Sequence, residues 1–270
     1  MPTTLASSST LVTVNGIQLA YRAFGSGGPA PLVLLHGGFG SVEMFGPNVD
    51  AFAATRQVIG VDLQSHGRSP AADRPMRFET MADDIAELIR SLDLGRADVL
   101  GFSLGGAVGL RLGIQHPEVV RRLVLVSTPV RRSGWYPAGI AGFDAMGPDT
   151  AAFMRQTPLF ESYAAIAPNV EDFQTLVNQL TTQLKVDYDY SDEAKDLPMP
   201  VMLVIGDADA LPPRGAVEFF ELLGGGQRDG SWDRSGMTHH RLAILPGVTH
   251  YDINVHPSLP AAVTPFLDEG

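Results

Sequence analysis

The sequence predicts an α/β protein built on a mostly parallel sheet, and three observations carry that prediction. Short runs of Val, Leu and Ile recur along the chain, each nearly continuous, as in strands buried on both faces. Helical patterns lie between them, an alternation that calls for right-handed crossovers and parallel strands. One serine, Ser103, stands between glycines where an apolar strand gives way to a small-residue helix.

Residues 11–14 and 17–21 alternate in strand fashion across Asn15-Gly16, a dipeptide that favours a primed hairpin turn, so the sheet opens with an antiparallel edge. After the loop Gly25-Ser26-Gly27-Gly28-Pro29, strand-like runs follow at 32–35, 57–62, 97–102 and 122–127. The clearest helix, residues 81–90, repeats its apolar side at Met81, Ile85, Leu88 and Ile89. Residues 201–205 and 240–245 supply the last two strands, and a closing helix spans 258–267. Between Pro129 and Leu197 the rhythm breaks into a stretch rich in Gly, Pro, Met and aromatics with no convincing strand. Such an excursion reads as a helical lid, residues 130–196, inserted into a core formed by 1–129 and 197–270. Residues 224–236 read as a surface loop.

Composition narrows the partners. At 270 residues with 44% hydrophobic and 18% charged side chains, the chain can bury a sizeable core. Its formal charge of −11 argues against nucleic acid and against an anionic membrane face. The absence of cysteine excludes disulfides, thiolate metal sites and a cysteine nucleophile. The first ten residues lack a basic start and an apolar run of signal-peptide length, and no segment approaches the roughly 20 apolar residues of a membrane span. The expectation is a soluble cytoplasmic protein, monomeric or homodimeric. His239 and His240 lack a Glu-x-x-His partner, and Gly25 to Gly28 precede their strand rather than open a helix, so neither a metal nor a nucleotide cofactor is expected.

Gly101-Phe102-Ser103-Leu104-Gly105 fits the G-x-S-x-G elbow, a turn so sharp that the serine is strained and its flanks must lack side chains. A serine hydroxyl is a poor nucleophile at neutral pH and needs a base, held in the right tautomer by a carboxylate. His250, just past the last strand, falls at the same carboxyl edge of the sheet as Ser103. Asp209, after the preceding strand, is the carboxylate expected to orient it, with Asp207 its rival. The position after the strand before the lid reads Ser127-Thr128-Pro129 and offers no acid. The oxyanion formed by serine attack needs two amides: one from Leu104, the other from the turn His36-Gly37-Gly38-Phe39-Gly40, with Gly38 preferred and Phe39 the alternative. His36 is expected to brace that turn rather than serve as base. Phe39, with Trp135, Tyr136, Phe143, Met146, Phe153, Met154 and Phe160 of the lid, is expected to supply an apolar substrate pocket. Arg131 and Arg132, at the start of the lid, read first as surface charges, with an anchor for an acidic substrate as the alternative.

These residues, with Asp62-Leu63-Gln64-Ser65-His66-Gly67-Arg68-Ser69 and Gly247-Val248-Thr249-His250, resemble the α/β-hydrolase superfamily in its lid-bearing branch of small esterases, cofactor-free haloperoxidases and carbon–carbon bond hydrolases. One departure is visible: Ser65 stands where that second segment usually carries its first glycine. The resemblance implies the α/β-hydrolase fold and a serine hydrolase that cleaves esters of small to medium apolar substrates through an acyl-enzyme. Carbon–carbon hydrolysis or lactonase activity with the same triad, and non-catalytic ligand reception, are the alternatives.

Overall fold

The computed structural model describes residues 8–269. The leader reading of the first ten residues falls largely on residues 1–7, outside the described part, as does Gly270. Eight strands form one sheet: β1 Thr10–Val14, β2 Ile17–Phe24, β3 Leu32–Leu35, β4 Val58–Asp62, β5 Ala97–Phe102, β6 Val120–Val126, β7 Val201–Ala208 and β8 Arg241–Thr249. Their order is β1-β2-β4-β3-β5-β6-β7-β8. Strand β2 runs antiparallel to both β1 and β4, and the remaining pairs are parallel. The expected hairpin forms at Asn15-Gly16, where both residues take positive φ (46° and 82°), as a type I′ turn requires.

The central strands bury both faces, and the pleat sorts their side chains accordingly. Val33, Leu35, Val99, Leu123, Leu125 and Leu203 belong to one core, shared with helices α2 (Phe78–Ser91), α3 (Leu104–Gln115) and α9 (Pro213–Leu222). Leu32, Leu34, Leu100, Val124, Val126 and Val204 belong to the other, beneath α1 (Asn48–Ala53) and α10 (Ser258–Asp268). Between β6 and β7 the chain makes no sheet strand. It instead forms α4 (Pro137–Ala145), α5 (Thr150–Met154), α6 (Pro158–Ala164), α7 (Phe173–Leu184) and α8 (Ser191–Ala194). Helix α7 is the amphipathic one: Phe173, Leu176, Val177 and Leu180 recur at helical spacing and are buried. Among the described residues, no helix is long and apolar enough to cross a membrane.

Helix α7 docks on the loop after β4 through Gln179. Ser65 takes φ 62°, the left-handed conformation that explains a glycine at this position in relatives of the motif. Its side chain is used: Ser65 Oγ donates to Gln179 Oε1 at 2.9 Å, and Gln179 Nε2 donates to the Ala72 and Arg74 carbonyls at 2.7 and 3.0 Å. A glycine there would leave the insertion without that tie.

Three histidines are buried in this framework and held neutral. Burial lowers His36 against the opposing pull of Asp62. Burial, reinforced by His36, lowers His66 to about 3, and burial together with His239 and Arg241 lowers His240 to about 4. The unfolded chain therefore takes up protons before the folded one as pH drops below the ordinary histidine value. Stability is complete above that value and is lost on acidification toward pH 3–4, at up to about 1.4 kcal/mol per pH unit for each histidine. His66→Asn keeps a donor for the Gln64 carbonyl that Nδ1 serves at 2.8 Å but removes the titration. Urea unfolding between pH 7 and 4.5 is expected to show a slope shallower by about 1 kcal/mol per pH unit in this variant. An unchanged slope would show that His66 does not contribute to acid unfolding.

Candidate active site

Ser103 ends β5 and begins α3 with φ 52° and ψ −112°, in the strained region its glycine flanks anticipate. A Cβ at Gly101 would overlap the Gly105 carbonyl, and one at Gly105 would overlap the Leu35 carbonyl. Only glycines let strand, elbow and helix approach this closely. The Ser103 N–H donates to Val126 O at 2.9 Å, tying the elbow to the neighbouring strand.

His250 follows β8 directly, because that strand extends to Thr249 rather than ending near residue 245. Asp252 steadies the turn, accepting from the Thr249 N–H at 2.7 Å and its hydroxyl at 2.5 Å. The imidazole Nε2 lies 3.2 Å from Ser103 Oγ and Nδ1 lies 2.8 Å from Asp209 Oδ1. An ionised carboxylate only accepts, so Nδ1 carries the proton and Nε2 is left to accept from the serine. Phe102 and Trp135 pack against the ring, with centroids 5.1 and 5.5 Å away.

Asp209 has a fully buried side chain held by several donors. Ser127 Oγ donates to Oδ2 at 2.5 Å, the Gly206 N–H to the same oxygen at 3.2 Å, and the Ala210 N–H to Oδ1 at 2.7 Å. Burial pushes the carboxyl up, but the hydrogen bonds from His250 and Ser127, with the His250 charge and Gly206, outweigh it and hold Asp209 below the ordinary carboxylate value. Asp207 is engaged elsewhere: its carboxylate accepts the Gly247 N–H at 2.8 Å and bridges the ends of β7 and β8. Ser127, read in the sequence only as the lack of an acid, turns out to support the acid from the next strand.

His36 lies apart from this chain of groups. Its Nδ1 meets the Gly37 carbonyl at 2.7 Å and its Nε2 accepts the Leu63 N–H at 3.0 Å, bracing the glycine turn against the loop after β4. In that turn the Gly40 N–H goes to Gly37 O, and the Gly105 N–H goes to His36 O. The N–H groups of Gly38, Phe39 and Leu104 take none of these turn-closing bonds, and all three residues border the cavity above Ser103.

The cavity encloses about 420 Å³. Of the residues expected to form an apolar pocket, Phe39, Trp135, Phe143 and Met146 line it, but Tyr136, Phe153, Met154 and Phe160 do not. Phe153 is 70% exposed and Tyr136 44%, so both point to solvent. Met154 is buried in the core on that side of the sheet, and Phe160 packs edge-on against Phe173 under the Arg155 guanidinium. Their places are taken by Met44, Phe78, Leu159, Leu180, Leu184 and Tyr188. The α7 members of that set were detectable from its amphipathic repeat; Tyr188 and Met44 had no such signal. Arg132 reaches the cavity, whereas Arg131 pairs with Glu218 outside it at 3.2 Å. Among the described residues, no group of three or more His, Cys, Asp or Glu is arranged to hold a metal ion.

Residues 30–202 match the sequence profile of the alpha/beta hydrolase fold. The chain belongs to that family. It is 32% identical to the pimeloyl-[acyl-carrier protein] methyl ester esterase of Neisseria meningitidis over 203 residues, 67% of this chain and 76% of that one. It is 34% identical to the sn-1-specific diacylglycerol lipase ABHD11 of Danio rerio over 124 residues, a match spanning 45% of this chain and only 39% of that protein. The crystal structure of the enol-lactonase from Burkholderia xenovorans LB400 superposes with a TM-score of 0.72 at 22% identity, covering 96% of this chain and all of that one, a likeness of fold. This chain thus has an esterase relative and shares its fold with a lactonase.

Proposed function

We propose that this α/β hydrolase is a serine carboxylesterase acting on small to medium, largely apolar esters. The observation that carries the reading is the continuous chain Ser103–His250–Asp209, with links of 3.2 and 2.8 Å, opening into a mostly apolar cavity. Ser103 attacks the ester carbonyl while His250 takes its proton, and the oxyanion is held by the amides of Leu104 and of Gly38, with Phe39 as the alternative donor. His250 then protonates the departing alcohol, and an acyl group remains on Ser103. Water, deprotonated by the same imidazole, releases the acid. The helices between β6 and β7 act as a lid whose Trp135, Phe143 and Met146 cover the acyl-enzyme. The methyl ester esterase relative supports ester cleavage, and the position of Arg132 in the cavity keeps lactones and carbon–carbon substrates as a second reading. No metal or organic cofactor enters the scheme.

A panel of p-nitrophenyl acyl esters, lactones and vinylogous diketones decides between them. A burst of p-nitrophenol from the acetate, followed by slower turnover, together with the highest kcat/KM on esters, is the expected outcome. Preference for diketones by an order of magnitude or more would transfer the proposal to carbon–carbon hydrolysis.

A further inference from the structure

The cavity is not apolar throughout. Gln183, in the last turn of α7, lines it with only 3% of its surface exposed, and its side-chain Oε1 is buried with no hydrogen-bond partner. Proteins rarely leave such an atom unpaired, because removing it from water forfeits a hydrogen bond that nothing returns. Beside it in sequence, the Leu184 carbonyl accepts from Arg132 Nε at 3.0 Å. That places the Arg132 guanidinium at the C-terminal end of α7. Arg132 Nη2 pairs with Asp144 at 2.6 Å, while its Nη1 has no hydrogen bond among the described residues. Tyr188, also in the cavity wall, accepts the Arg132 N–H at its backbone carbonyl at 2.9 Å. Gln183, Arg132 and Tyr188 thus add polar groups to the wall of a mostly apolar chamber, beside those of Ser103 and His250.

We propose that Gln183 and Arg132 make a specificity subsite for an uncharged hydrogen-bonding terminus on the substrate, such as an amide or a hydroxyl group. A carboxylate is the obvious partner for an arginine, but the charge balance opposes it. Asp144 already neutralises Arg132, and the negative end of the α7 dipole lies beside the guanidinium. A group that both donates and accepts meets every unfilled valence: its oxygen takes Arg132 Nη1–H, and its N–H or O–H reaches Gln183. Rotation of the glutamine amide exchanges acceptor for donor, and the same ligand still satisfies it. The inference deepens the esterase reading and rests on it.

The test uses three isosteric methyl esters: methyl 5-amino-5-oxopentanoate, methyl 5-methylhexanoate and monomethyl glutarate, with acid release followed by pH-stat. The same three termini are then carried on the alcohol limb of acetate esters. In at least one limb the amide is expected to exceed the branched alkyl ester by about five- to tenfold in kcat/KM, with the carboxylate lowest. Gln183→Met, which keeps length without hydrogen bonding, is expected to bring amide and alkyl esters to parity. Equal or better use of the alkyl terminus in both limbs by the wild-type enzyme overturns the inference, whether or not the variant folds, and so does a leading carboxylate. Calorimetric titration of Ser103→Ala with the same esters separates the two readings. Tighter binding of the amide ester without any wild-type turnover would sustain the subsite and sink the esterase. Turnover of all three without discrimination would do the reverse.

Discussion

Replacing Ser103 by alanine is expected to reduce ester turnover by about 10⁵- to 10⁶-fold while leaving the fold intact. The size follows from what is removed. Without Oγ there is no covalent intermediate, and His250 has no proton to take from the position 3.2 Å from its Nε2. What survives is binding and oxyanion stabilisation of direct water attack, roughly 10³-fold over the uncatalysed rate. The fold survives because alanine tolerates φ 52° about as poorly as serine does, and the backbone tie from residue 103 to Val126 O remains. Single-turnover kinetics with p-nitrophenyl acetate measures the loss, and intact-mass spectrometry should find the acetyl adduct on the wild type alone. An acetylated Ser103→Ala protein, or a rate within tenfold of wild type, would remove Ser103 from the chemistry.

Much of this was legible in the sequence because the pleat and the sheet topology act on residues one at a time. The unbroken Val/Leu/Ile runs could only be strands covered on both sides, and residues placed just past such strands had to meet at one edge. That logic brings Ser103, Asp209 and His250 together although they lie far apart in the chain. It favoured Asp209 but left Asp207 as a rival, since residues two apart along an extended chain point the same way. What separates them is a register shift between Gly206 and Ala208, a local irregularity in the β7–β8 ladder with no sequence mark. Ser127 was also invisible, because its hydroxyl matters only once β6 and β7 lie side by side. The insertion was the least legible part. Helices α4 to α6 are short and lack a consistent apolar face, so nothing in the sequence told Phe143, which faces the cavity, from Phe153, which faces water. Helix α7, with its regular apolar repeat, was open to such a reading.

Changing Asp209 to asparagine is expected to lower kcat by about 10⁴-fold with KM little affected, and the hydrogen bonds show why so small a change matters. Four donors converge on this carboxylate: the His250 ring and the Ala210 N–H at Oδ1, the Ser127 hydroxyl and the Gly206 N–H at Oδ2. An amide can place its NH₂ at only one of these oxygens, and each choice opposes donors to donors. At the Oδ1 position the NH₂ faces His250 Nδ1, so the imidazole moves its proton to Nε2 and can no longer accept from Ser103. At the Oδ2 position Ser127 can rotate to accept, but the Gly206 N–H is stranded and the charge that stabilises the imidazolium is gone. Since Asp209 is held below its ordinary value, the carboxylate also contributes stability that is present above the unfolded pKa and lost as pH falls through the folded one. The asparagine variant should therefore be less stable than wild type at pH 7 and converge with it in acid. Ser127→Ala removes one support and should cost about tenfold or less, with Asp209 displaced upward. The control is Asp207→Asn, whose amide oxygen can still accept the Gly247 N–H and which should stay within a few fold of wild type. If Asp207→Asn is the variant that loses activity and Asp209→Asn is not, the orienting carboxylate has been assigned to the wrong aspartate.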